Sequence, residues 1–101
     1  MIYSQLPQTY KYDTIADAIY AREVEYFHYD FDRLNFEYLL VKTDGEYREN
    51  IQSRLADTGT QMRNVLGIIE ALQAQIDDEP AYAEAVERAV KRREEQKNVS
   101  T

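Results

Sequence analysis

The sequence predicts an all-α protein: a long antiparallel helical hairpin followed by a short third helix, completed as a helical bundle by homodimerisation. Three observations carry this expectation. Two stretches of about 30 residues run without a helix breaker. Each bears apolar residues spaced alternately four and three apart, the pattern of long helices packed side by side. One of the two bears a second such stripe, which is more apolar surface than a one-sided helix needs.

The expected organisation is an irregular N-terminal arm over 1–12, one helical domain over 13–98, and a frayed tail over 99–101. In the arm, Pro7 disfavours helix and Tyr3, Tyr10 and Tyr12 show no clean period. Thr14 followed by Asp17 resembles a capping box, which starts the first helix at about 14 and lets it run to 43, where Thr43-Asp44-Gly45 breaks it. The second helix is expected over 46–76, with the seam Ile51, Leu55, Thr58, Met62, Val65, Ile69, Leu72, Ile76. Pro80 suits the first turn of a third helix over 80–97, with Asp77 or Asp78 as cap and a thin stripe of Tyr82, Val86, Ala89 and Val90.

Gly59 interrupts the second helix. An interior glycine costs about 1 kcal/mol relative to alanine, so either the helix kinks there or the glycine makes room for a bulky neighbour. A hairpin folded about residues 44–45 brings Gly59 near Asp30 and Phe31, and close packing there is the expectation.

Seven of the twelve aromatic residues fall between Tyr20 and Leu40. One stripe on the first helix reads Tyr20, Val24, Phe27, Phe31, Leu34, Tyr38, Val41, and it is assigned to the face that meets the second helix. The other reads Ile19, Arg22, Tyr26, Tyr29, Arg33, Phe36, Leu40. The third helix is too short to cover all of it, so Tyr26, Tyr29, Arg33, Phe36 and Leu40 are expected to form an interface with a second chain. Tyrosine keeps a hydroxyl that wants water or a partner, and arginine stacks on aromatic rings, so both fit a half-wet seam.

Composition limits the function classes. The absence of cysteine removes disulfides and thiol chemistry. No apolar run approaches a membrane span, and the first residues lack the features of a signal peptide, so a cytoplasmic protein with no membrane partner is expected. The net charge is −7, and the basic run Lys91-Arg92-Arg93 is followed by two glutamates and reads as a solvated helix end. Direct nucleic-acid binding draws its affinity from phosphate neutralisation, so none is expected.

The sharpest chemical constellation is Glu25, His28 and Asp32, a Glu-x-x-His with a further acid one turn on. Carboxylate-bridged metal sites in ferritin-like bundles use Glu-x-x-His, and a dimer would supply two copies. The opposing positions are near Asn64 and Gln61, and no second Glu-x-x-His exists, so a solvated His28–Asp32 pair is preferred and no metal or cofactor is expected. The serines and glycines form no nucleophile elbow or phosphate loop. The resulting expectation is a non-enzymatic protein-interaction module (adaptor, scaffold or regulatory subunit) that binds itself and a further protein. An acidic antagonist that occupies another protein's nucleic-acid site, through Glu23, Asp30 and Glu37, is the alternative, and a ferritin-like metal-binding bundle is the second alternative.

Overall fold

The computed structural model describes residues 8–99. Its elements are α1 (Gln8–Lys42), α2 (Gly45–Gln73) and α3 (Glu79–Val99), with no strand among the described residues. The all-α expectation holds. The first helix begins earlier than expected: residues 8–12 are helical, whereas 1–7 lie outside the described residues. Thr14 is therefore interior to α1. The second helix ends at Gln73, three residues early, in a tighter turn where Gln75 and Ile76 donate to the carbonyls of Leu72 and Gln73, each at 3.1 Å. The expected tail divides in the same way, with Val99 in α3 and 100–101 outside the described residues.

The chain divides into two compact units, one spanning Ala21–Glu70 and one formed by the residues up to Tyr20 with those from Ala71 onward. The contiguous unit is a helical hairpin. Its turn uses Gly45 at a φ of 66°, a left-handed conformation that costs other residues more than glycine. Arg48 then reaches back, donating from its guanidinium to the carbonyls of Leu40 and Thr43. The Leu40 carbonyl is among the last of α1 and the Thr43 carbonyl lies just past its end, so the arginine serves as a C-terminal cap.

Along α2, Ile51, Thr58, Met62, Val65 and Ile69 are buried, as the heptad spacing predicts. Thr58 meets the requirement of its hydroxyl by donating to the Arg54 carbonyl at 2.9 Å. Residues that line common grooves give the hairpin register: Asp32 lies beside Asp57 and Thr58, and Leu39 beside Asn50 and Ile51. This is the register expected for a turn at 44–45. Gly59 behaves otherwise. The helix runs through it unbroken, and a Cβ placed there would meet only the Arg63 side chain, at 3.7 Å. Phe31 does not press on it, because Phe31 points away from the hairpin and is exposed. Gly59→Ala should therefore stabilise the protein by about 1 kcal/mol, seen as a melting temperature about 4–8 °C higher with an unchanged circular dichroism spectrum.

In the second unit the core consists of Tyr12, Ile15, Ala16 and Ile19 from α1 with Ala85 and Ala89 from α3. Asp78 caps α3 by accepting from the Ala81 amide at 3.1 Å, and Pro80 sits in the first turn as expected. The stripe of α3 is shifted from the expected one. Ala85 and Ala89 face the core while Val86 and Val90 are exposed, because small side chains let α3 approach α1 closely. The basic run is also more engaged than a solvated end. Arg92 reaches both carboxylate oxygens of Asp17, at 3.1 and 3.3 Å, and Arg93 lies 3.6 Å from the same residue. Arg88 donates to Asp13 at 3.1 Å. Asp13 and Asp17 pair with Arg88 and Arg92, so α1 and α3 run parallel here. Tyr12 donates its hydroxyl to Asp77, and Lys11 lies 3.7 Å from that carboxylate.

Candidate interaction face

Within the hairpin unit each helix is covered by the other on one face. On α1 the covered residues are Arg22, Tyr26, Tyr29, Arg33, Phe36 and Leu40, all half-buried. Tyr29 and Phe36 share an open groove of about 290 Å³ with Arg54, Asp57 and Thr58 of α2. The assignment of the two stripes is thus corrected. The stripe that meets α2 is the one assigned to a second chain, and the residues expected at that interface, Tyr26, Tyr29, Arg33, Phe36 and Leu40, lie in or beside the intrachain seam.

The other stripe is left open. Phe27 is 72%, Phe31 61%, Tyr38 62% and Val41 84% exposed. Val24 and Leu34 complete the row. Tyr20, at its start, belongs to the other unit; it is exposed as well, with the Arg93 guanidinium stacked 3.4 Å from its ring centroid. From Val24 to Val41 the free row is about 26 Å long. Aromatic side chains present about 150–250 Å² each and the aliphatic ones somewhat less, so the exposed fractions amount to roughly 650 Å² of largely apolar surface. Monomeric proteins seldom leave more than about 300–600 Å² in one patch.

Charge borders this row unequally. Glu23, Asp30 and Glu37 lie along one edge, and His28, Asn35 and Lys42 along the other. Arg33 bonds to Asp30 Oδ1 at 2.8 Å and to Glu37 Oε1 at 2.9 Å. The two carboxylates, Asp30 foremost, raise the pKa of Arg33 above its ordinary value. Lys42 places its ammonium 5.3 Å from the Tyr38 ring centroid. On the acidic edge one arginine thus bonds two of the three carboxylates, each through a single oxygen.

The Glu25, His28 and Asp32 constellation does not converge. Glu25 is half-buried and its Oε2 lies 2.9 Å from Arg22. This is an ion pair, and that buried oxygen has no hydrogen-bond partner. His28 and Asp32 are exposed, and the expected ion pair between them is absent among the described residues. No group of three His, Cys, Asp or Glu side chains that could hold a metal ion occurs among the described residues. In the other unit a surface pocket of about 270 Å³ is lined by Tyr20, Val90, Arg93, Glu94 and Lys97. No helix is long and apolar enough to cross a membrane among the described residues.

The sequence matches no protein-family model, and neither a curated protein nor a solved structure shows significant similarity to it. The open face of α1 is consequently read from its own chemistry. Sequence periodicity had found both stripes but not which was free. The signal that distinguishes them lies upstream. Extended toward the N-terminus, the covered stripe reaches Ile19, Ile15 and Tyr12, whereas the open stripe reaches Asp17 and Asp13.

Proposed function

We propose that this chain is a non-enzymatic protein-interaction module, an adaptor, scaffold or regulatory subunit of the cytoplasm, that acts by self-association of its helical hairpin. The observation that carries the reading is the open row Val24, Phe27, Phe31, Leu34, Tyr38, Val41 on α1. Its area of roughly 650 Å² approaches the ~800 Å² that one partner contributes to a standard protein interface. Burial of such a surface is favourable by about 25 cal/mol per Å² before the costs of association. The acidic antagonist remains the second reading: it would use Glu23, Asp30 and Glu37, of which Arg33 bonds Asp30 and Glu37 through one oxygen each, but it gives no role to the apolar row.

Sedimentation velocity across a hundredfold concentration range provides the test. The wild type should shift from monomer to dimer, and its melting temperature should rise with concentration, since a partner that binds only the folded form stabilises it. Phe31→Glu should hold the chain as a monomer with its helical signal retained. A wild type that stays monomeric throughout would overturn the reading.

A further inference from the structure

The two edges of the open row specify how a second copy would lie against it. We propose that the occupant is another copy of this chain, and that the two α1 helices pair parallel and in register. The inference rests on the self-association reading above. In heptad terms Val24, Phe31 and Tyr38 take the a positions and Phe27, Leu34 and Val41 the d positions of the exposed seam. Glu23, Asp30 and Glu37 then occupy g, and His28, Asn35 and Lys42 occupy e.

Side chains at g and e set orientation in paired helices. In a parallel pair each g residue meets the e residue five positions further along the other helix. Glu23 thus meets His28 of the second copy, Asp30 meets Asn35, and Glu37 meets Lys42. Each acid faces a hydrogen-bond donor or a cation, and two-fold symmetry repeats the set. In an antiparallel pair g meets g. Glu23 would face Glu37 and Asp30 would face its own copy, which places like charges together along the seam. The bonds to Arg33 do not consume the acids. Arg33 takes Asp30 Oδ1 and Glu37 Oε1, which leaves the second oxygen of each carboxylate for the other helix. Tyr20, the next d position upstream, has one ring face occupied by the Arg93 guanidinium, so the wholly apolar part of the seam starts at Val24.

The chain has no cysteine, which makes single-cysteine cross-linking a direct test on the full chain. Disulfides need Cα atoms within about 7 Å, whereas the seam ends are about 26 Å apart. Val24→Cys and Val41→Cys, each alone under oxidising conditions, should both give covalent dimers. Ser53→Cys, exposed on α2, controls for random collision and should give little. A mixture of the two seam variants should give no cross-link between position 24 and position 41. A 24-to-41 cross-link, with neither variant joining to itself, would mean an antiparallel pair and overturn the inference while sparing self-association. Dimers by sedimentation with no seam cross-link would overturn it equally, in favour of another face. Monomers by sedimentation would remove the self-association reading as well. Charge gives a second measurement. Lys42→Glu should weaken the dimer about fivefold, as expected for exposed charge pairs repeated by symmetry, and Glu37→Lys added to it should restore the affinity. A double variant no tighter than Lys42→Glu alone would overturn the pairing.

Discussion

Tyr12→Ala should destabilise the protein by about 3–5 kcal/mol, the cost of removing a large aromatic from a packed core. Tyr12 is 0% exposed, packed in the unit that joins the start of α1 to α3. This loss is a large part of a small domain's total stability, and urea unfolding at neutral pH would measure it. Tyr12→Phe separates the ring from its hydroxyl. The hydroxyl bond to Asp77, with a smaller effect of Lys11, lowers the pKa of that carboxyl below its ordinary value. A carboxyl whose pKa is depressed by folding stabilises the folded state above its unfolded pKa and loses that contribution as pH falls through the folded value. Tyr12→Phe should therefore be less stable than wild type at neutral pH, with a gap that narrows below about pH 4. A gap independent of pH would mean that the hydroxyl acts through some other partner.

Phe36→Glu and Phe31→Glu should have opposite consequences, although the two residues lie five apart on one helix. Phe36 lines both grooves where α1 meets α2, beside Arg54 and Ile51. A carboxylate there loses aromatic packing and part of its hydration, at a cost of about 2–4 kcal/mol. Phe31 points to solvent, and its replacement should change the stability of the isolated chain by no more than about 0.5 kcal/mol. Chemical denaturation of both variants, at a concentration where the wild type is monomeric, distinguishes them. Equal losses would mean that α1 is rotated from the orientation described, and the open row with it.

These two residues also mark how far the sequence alone could be read. The seam of α2 was legible because it is the one apolar stripe on that helix, and Ile51, Met62, Val65 and Ile69 are buried where the spacing put them. On α1 two stripes share one period, and the open one holds Phe27 and Phe31, so apolar content points to the wrong face. The covered stripe includes Arg22 and Arg33, which are compatible with partial burial because they pair with Glu25, Asp30 and Glu37 along the helix. Such pairs are invisible to a reading that counts charge as solvent-facing. The early start of α1 was missed for a related reason. Tyr12 was read with the other tyrosines of the arm, although its three-then-four spacing to Ile15 and Ile19 continues the covered stripe. Gly59 illustrates the converse: a local cost in the sequence implied a packing reason, and no neighbouring helix supplies one.

The division of the chain has a consequence for the order in which it folds. The hairpin unit is contiguous, and its turn is secured by Arg48 across only a few residues of sequence. The other unit joins segments far apart in the chain: 65 residues separate Tyr12 from Asp77, and 75 separate Asp13 from Arg88. Closing a long flexible loop costs entropy before any contact compensates it. Once the hairpin has formed, most of that loop is already a structured rod pair, and the remaining search is short. The hairpin can therefore nucleate the chain, while the ion pairs of Arg88 and Arg92 form late and open early. A ribosome would release α1 and α2 as a competent pair before α3 had emerged, leaving Tyr12 and Ile15 without their cover until α3 followed.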